Sequence, residues 1–286
     1  MKTKVLVTGS EGQLGQTLNE LYSNDQNYDI KFVSKADLDI TNKESIEGIF
    51  NKHSFDYCIN CAAYTNVELA EEHTDLAFSI NAEGVKYLAE VCKANKATLI
   101  HISTDYVFDG KKQTPYTEVD KSNPINVYGR SKLAGEKCIQ EIKANFFIIR
   151  TSWLYSKYGH NFLKSIINKI QNNETLRIIT SQRGTPTSCT DLSEFIFKLI
   201  KTRNSNFGTY HFSAKGETTW YGFALQICSH FKAYNCKNIL PVEVFKTKAT
   251  RPNYSVLDNK KALKILGEQK SWKESVDETV LSLIQK

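Results

Sequence analysis

The chain begins with two contrasting hydrophobic patterns. "KVLVTG" carries a continuous apolar run, Val5-Leu6-Val7, whereas "QLGQTLNELYS" repeats its leucines at Leu14, Leu18 and Leu21. The first is the pattern of a short buried strand, the second of a helix with one apolar face. The alternation continues through "IKFVS" (a second strand) and "DLDIT" (a short third). "KESIEGIFNKH" follows, with Ile46, Ile49 and Phe50 on one helical face. Then come a strand in "DYCINCAAY", a long helix in "DLAFSINAEGVKYLAEVCKAN" and a strand in "ATLIHIS". A helix in "NVYGRSKLAGEKCIQEIK" and a strand in "NFFIIRT" complete the first half. Strands separated by helices of this length pair in parallel through right-handed crossovers. The fold expected for residues 1–150 is a Rossmann-type α/β core, a doubly wound parallel sheet that binds a dinucleotide.

Beyond Thr151 the alternation loosens. "NFLKSIINKIQ", "DLSEFIFKLIK", "TWYGFALQICSHF" and "SWKESVDETVLSLIQ" predict helices, and "LRIIT", "GTYHF" and "VEVF" short strands between them. No Pro- or Gly-rich linker separates the halves. Residues 151–286 are therefore expected to form a smaller, mainly substrate-binding lobe, with some segments returning to the core. The sequence shows no internal repeat and no low-complexity segment.

Composition narrows the class. The 286 residues are 41% hydrophobic and 24% charged, with a formal net charge of +6, as in ordinary globular proteins. No dense Lys/Arg block marks a nucleic-acid arm, although a slightly positive balance suits an anionic small ligand. The apolar run in "MKTKVLVTGS" is too short for a signal peptide, and no stretch approaches the ~20 apolar residues of a membrane span. A cytoplasmic location without membrane or nucleic-acid partners is expected. Among the seven cysteines, Cys58 and Cys61 form a CxxC. No second CxxC or His pair completes a zinc site, so both are read as small core residues.

Three groups of residues carry chemistry. Gly9, Gly12 and Gly15 in "TGSEGQLG" follow the first strand and open the first helix. Glycine there permits a tight turn and close approach of a phosphate to the helix N-terminus. The spacing is GxxGxxG rather than the commoner GxGxxG. After the second strand, where many such folds carry an acid for the ribose 2′-hydroxyl, this chain has Ser34 and Lys35. Lys35 either pairs with a 2′-phosphate, which leans toward NADP, or is a solvated surface lysine. Tyr128 and Lys132 lie four apart on one helical face, and a cation one turn away is expected to lower the phenol's pKa. Ser103 and Thr104 sit at the carboxyl end of a parallel strand, where doubly wound folds bind ligands. Side chains alternate along a strand, so one of the two hydroxyls points into the site.

These elements, with "GQLG", "CAAYTNVELAE", "HISTDYVFDG", "NVYGRSKLAGE", "RTSWLYS", "GTPTS" and "RPNYSVLD", resemble the dTDP-4-dehydrorhamnose reductase family. This family belongs to the extended short-chain dehydrogenase/reductases, and the resemblance spans nearly the whole chain. It implies hydride transfer from NADPH, or NADH in its place, to the C4 ketone of a nucleotide-linked 6-deoxy sugar by a monomer or homodimer. It implies Thr104, Tyr128 and Lys132 as the catalytic triad. Gln13 and Leu14 would join the glycines at the pyrophosphate, and Asp39 and Ile40 would form the adenine-binding turn. Ala62, Ala63 and Tyr64 would pass the cofactor at a strand end. Asn81 would contribute from the long helix and Thr151 would face the nicotinamide. Asn66, Val67, Tyr106 and Trp153 would line the sugar-nucleotide pocket, and Arg251 would lie near its nucleotide end. Some members hold a magnesium ion through glutamates. The matching positions here are Thr17 and Thr190, so no metal is expected. Relatives of this fold also include a regulatory subunit of methionine adenosyltransferase, against which the intact Thr104, Tyr128 and Lys132 set argues.

Overall fold

The period-two alternation of the strands decides which helices each side chain meets. In the computed structural model, which describes residues 2–284, the first half contains β1 (Thr3–Thr8), α1 (Gln13–Tyr22), β2 (Tyr28–Val33), α2 (Lys43–Lys52), β3 (Tyr57–Asn60), α3 (Val67–Ala70), α4 (Thr74–Phe78), α5 (Gly84–Ala94), β4 (Thr98–Thr104), α6 (Val127–Ile142) and β5 (Phe146–Thr151). The second half adds β6 (Leu154–Tyr155), α7 (Phe162–Gln171), β7 (Leu176–Ile179), β8 (Arg183–Gly184), β9 (Thr187–Ser188), α8 (Cys189–Lys201), β10 (Gly208–His211), β11 (Thr218–Thr219), α9 (Trp220–Cys228), β12 (Ile239–Val242), α10 (Lys260–Leu266) and α11 (Trp272–Ile284).

Six strands form one parallel sheet in the order β2-β1-β3-β4-β5-β10. Val5, Val7, Ile59, Ile100, Phe147 and Ile149 face one side and pack with Leu14 and Leu18 of α1 and Leu192 and Phe195 of α8. Their neighbours Leu6, Cys58, Leu99 and Ile148 face the other side and meet Ile46, Phe50, Val85, Leu88 and Ile139. Each such side chain, fully buried, contributes about 1.5–3 kcal/mol. The strand order reverses at β1, which places a cleft at the carboxyl ends of β1, β3 and β4.

Residues beyond 151 divide between the two bodies. β10 extends the main sheet and α8 covers one of its faces. The remaining segments build a second core around Tyr155, Leu163, Ile166, Phe223, Ile227, Trp272 and Val276. α9 is tied to the following turn by a Cys228–Cys236 disulfide, which the apolar setting of Cys228 did not announce.

Three sequence expectations are corrected. "DLDIT" is a turn rather than a strand: Asp39 Oδ1 accepts from the Thr41 N–H at 2.9 Å and its hydroxyl at 2.8 Å. This local bonding outcompetes extended pairing while Leu38 and Ile40 still bury. "VEVF" ends as a strand at Val242, and Val244 and Phe245 are exposed. The long helix contains a π-helical turn, Ser79–Glu83, between α4 and α5. Such wide turns recur at functional sites.

Candidate active site

The cleft at the carboxyl end of the sheet encloses about 530 Å³. Of the residues singled out in the sequence, Gly12, Gln13, Leu14, Ala63, Val67, Thr104, Tyr106, Tyr128, Lys132, Thr151 and Trp153 line it. Behind the cleft wall, Gly9 has φ +65°, and a Cβ there would lie 2.6 Å from the Ala62 nitrogen. A Cβ on Gly15 would lie 2.5 Å from the Gly9 carbonyl. The turn closes only with glycine at both. Gly12 is the N-cap of α1 and supplies no capping side chain, which leaves the helix N–H groups for an anion.

Strand alternation separates Ser103 from Thr104. The Ser103 hydroxyl turns away and donates to Glu136 Oε1 at 2.5 Å, while Glu136 is held by Arg150 at 2.6 Å in a buried ion pair. Thr104 faces the cleft. Its Oγ1 accepts from the Tyr106 N–H at 3.1 Å and donates to Asp105 Oδ1 at 3.0 Å. Tyr128 enters from the first turn of α6. Asn126 caps that helix by accepting from the Gly129 N–H at 2.7 Å. The Tyr106 and Tyr128 rings meet edge to face, 5.9 Å apart.

The expected effect of Lys132 on Tyr128 is not what the structure shows. Burial pushes the Tyr128 phenol up to about 12. The Thr104 hydroxyl offsets part of this, the Asp105 carboxylate adds to it, and Lys132 is not among the causes. Lys132 instead donates to the Ile102 carbonyl at 2.7 Å and lies 3.3 Å from His101 Nε2. Burial lowers its ammonium to about 8, against the opposing pull of Glu136 and Cys61. Beside them, burial raises Asp105 to about 7 despite the Ser255 and Thr104 hydroxyls.

Other anticipated residues act from behind the cleft wall. Asn81, in the π turn, accepts from the Tyr64 N–H at 2.9 Å and donates to the Tyr64 carbonyl and to Ser131 Oγ, each at 3.0 Å. It thereby ties the β3 exit to α6. Asn66 caps α3 by accepting from the Leu69 N–H, and the Ala62 N–H donates to Asn60. Arg251 pairs with Glu68 at 2.5 Å and also touches Tyr106. Ile40 is buried, the Asp39 carboxylate is occupied within its own turn, and Lys35 is exposed beside Asp39. These four residues, with Gly9, Gly15, Ala62, Tyr64, Asn66 and Asn81, do not line the cleft.

The second lobe supplies walls that sequence reasoning missed: His160, Asn161, Phe162 and Trp220. Trp220 stacks on Trp153 with ring centres 3.7 Å apart, and Trp153 sits at φ +46°, the strained backbone that functional positions tolerate. Asn161 donates to Gln13 Oε1 at 2.8 Å, joining the glycine-rich turn to α7. Asp105 was also missed, although it sits inside the quoted "STDYVFDG". Its short carboxylate between two motif residues was the available signal. Thr17 and Thr190 line a smaller cavity elsewhere. Among the described residues, no group of three or more His, Cys, Asp or Glu side chains is placed to hold a metal ion. No described helix is long and apolar enough to cross a membrane.

A switch-point cleft with a glycine-rich turn on one side and a tyrosine–lysine helix on the other defines a Rossmann-type oxidoreductase of the short-chain dehydrogenase/reductase class. Within that class the chain belongs to the family described as RmlD substrate binding domain, whose model matches residues 3–284. It is 34% identical over 284 residues to a dTDP-4-dehydrorhamnose reductase from Aggregatibacter actinomycetemcomitans, covering 96% of this chain and 97% of that one. A crystal structure of dTDP-4-dehydrorhamnose reductase from Bacillus anthracis in complex with NADP superposes with a TM-score of 0.93. That protein is 40% identical, with 99% of this chain and 100% of that chain covered. A dTDP-4-keto-6-deoxy-D-glucose reductase from Streptomyces niveus is 37% identical over 225 residues, 78% of this chain and 77% of that protein.

Proposed function

We propose that the protein reduces the C4 ketone of dTDP-4-dehydro-L-rhamnose to the alcohol of dTDP-L-rhamnose, using NADPH. The observation that carries this reading is the convergence of Thr104, Tyr128 and Lys132 on one cleft that Gly12, Gln13 and Leu14 of the glycine-rich turn also line. That turn fits a dinucleotide, because the space at Gly9 and Gly15 admits no side chain and the α1 N–H groups stand uncapped. Gly12, Gln13 and Leu14 would hold the pyrophosphate. Thr151, whose buried Oγ1 has no hydrogen-bond partner within the protein, would face the nicotinamide end. The bound cofactor supplies the hydride.

The chain's own residues handle the proton. A phenol raised to about 12 is fully protonated near neutral pH, so Tyr128 is poised as a general acid toward the ketone oxygen. Thr104 would donate to the same oxygen as negative charge develops. Giving up the proton leaves a partly buried phenolate, which at that pKa costs up to about 3 kcal/mol more than in water. The Lys132 ammonium is the cation that would offset this cost. Trp153 and Tyr106 would supply apolar walls with polar tips, and Arg251, beside Tyr106, would lie near an anionic nucleotide moiety.

Tyr128→Phe tests the reading. Turnover of dTDP-4-dehydro-L-rhamnose, followed by NADPH oxidation at 340 nm, should fall at least about 100-fold, with cofactor affinity within about threefold of the wild type. Near-normal turnover would rule the assignment out. The relative named for dTDP-4-keto-6-deoxy-D-glucose supports a second substrate, another dTDP-linked 4-keto-hexose. A higher kcat/KM for that sugar would transfer the proposal to it.

A further inference from the structure

His101 lies inside β4 with no exposed surface, one residue from the strand-end motif, and has no part in the proton transfer described above. Its hydrogen-bond partners determine where its proton sits. Asn60 Oδ1 accepts from the Thr8 hydroxyl at 2.7 Å and from the Ala62 backbone N–H at 3.1 Å. A backbone N–H only donates, so the amide atom facing it is the oxygen. The opposite end, Asn60 Nδ2, is then the donor to His101 Nδ1 at 3.1 Å. Nδ1 is left without a proton, and a neutral imidazole in this position carries its hydrogen on Nε2. Burial and the nearby lysine keep the ring neutral by holding its pKa well below the ordinary value.

The Nε2–H therefore points at Lys132 Nζ, 3.3 Å away, while Lys132 Nζ itself donates to the Ile102 carbonyl at 2.7 Å. A neutral amine satisfies both contacts, because it has one lone pair to accept with and N–H bonds to donate. An ammonium has no lone pair and would set N–H against N–H. Reversing the imidazole tautomer gives no relief. Nδ1–H would meet the Asn60 amide hydrogens, and flipping that amide would set it against the Ala62 N–H. The other ionisable groups around Lys132 are Glu136 and Tyr128 on its own helix and Cys61 after β3. Glu136 and Cys61 both favour the charged lysine, so His101 is the polar neighbour that opposes it.

We propose that His101, with its tautomer set by Asn60, is a positioning residue for the reaction. It makes the observed seat of Lys132 fit the neutral amine alone and directs the charged lysine toward the cleft and Tyr128. The inference rests on the reading of Lys132 as the cation that offsets the Tyr128 phenolate.

Two measurements test it. In ¹⁵N-histidine-labelled wild-type protein at pH 7, the His101 resonances, assigned by their loss in His101→Gln, should show a protonated Nε2 and a bare Nδ1. The opposite tautomer, or a cationic ring, overturns the proposal without recourse to any variant's activity. In the pH profile of kcat/KM, the wild type should lose activity as Lys132 deprotonates near pH 8. His101→Gln presents an amide oxygen that accepts from the ammonium, so its alkaline limb should move up by about one pH unit. A structural defect would lower the plateau and leave the limb in place, and that outcome counts against the proposal. Lys132→Met separates this inference from the functional reading beneath it. Lost turnover in Lys132→Met with an unmoved limb in His101→Gln overturns the role of His101 alone, whereas normal turnover in Lys132→Met overturns both.

Discussion

Replacing Asp105 with Asn should stabilise the protein, and by an amount that depends on pH. Asp105 is 2% exposed, and burial raises the pKa of its carboxyl group from 3.8 to about 7 against the pull of the Ser255 and Thr104 hydroxyls. Between those two values the native state holds a proton that the unfolded chain has released. The native state then binds more protons than the unfolded one, and stability falls as pH rises. The whole interval corresponds to about 4 kcal/mol, present below pH 4 and lost above pH 7. An Asn side chain keeps the acceptor for the Thr104 hydroxyl, bonded now at 3.0 Å, and carries no charge to desolvate. Urea unfolding followed by circular dichroism would compare the Asp105→Asn variant with the wild type. At pH 8 the variant should gain about 2–4 kcal/mol in unfolding free energy. At pH 4.5 the gain should shrink below about 1.5 kcal/mol. An equal effect at both pH values, or a loss of stability confined to pH 8, would show that Asp105 is an ordinary carboxylate stabilised by its charge.

Two further outcomes can be checked on the same instrument. Glu136→Gln leaves Arg150 buried without its countercharge, since Glu136 accepts from Arg150 Nε at 3.0 Å and Nη2 at 2.6 Å. Unfolding free energy should drop by about 3–5 kcal/mol, and a loss under 1 kcal/mol would mean that Arg150 finds other partners. Reduction of the Cys228–Cys236 bond, which spans a sequence separation of 8, should destabilise the second lobe by about 2–3 kcal/mol. The effect should appear as a lowered Tm in dithiothreitol and vanish in a Cys236→Ser variant. Such a bond is uncommon in a reducing compartment, so the same comparison on protein from reduced lysate would report whether it is present there.

The parts of the molecule legible in the sequence are those governed by near neighbours along the chain. The period-two strands and the three- to four-residue helical spacing specify the doubly wound core, because apolar side chains must share a face to bury together. The glycine-rich turn was readable in part for a similar reason: Gly15 contacts Gly9 and Ser10, which the chain brings round within a few residues, whereas Gly9 meets Cys61 and Ala62 at the neighbouring strand end. Tyr128 and Lys132 share a helical face by spacing alone. The "DLDIT" segment misled because the Asp39 carboxylate bonds the Thr41 N–H, a local competition that the hydrophobic pattern does not register.

What tertiary structure alone decided depends on partners far apart in sequence. The Gln13–Asn161 bond joins residues 148 apart, and the stacked Trp153 and Trp220 come from different segments of the second lobe. Between the Ser103 and Thr104 hydroxyls the choice followed from their partners: Glu136 on α6 takes the first, while the second bonds within the turn that follows β4. Spacing placed Lys132 one turn from Tyr128 and suggested a lowered phenol pKa. Burial reversed that sign, because desolvation acts on every charge in the site and depends on the whole surrounding protein. The tautomer of His101 is decided in the same way. It follows from the pairing of β3 with β4, which sets the Asn60 amide beside His101, 41 residues further along the chain.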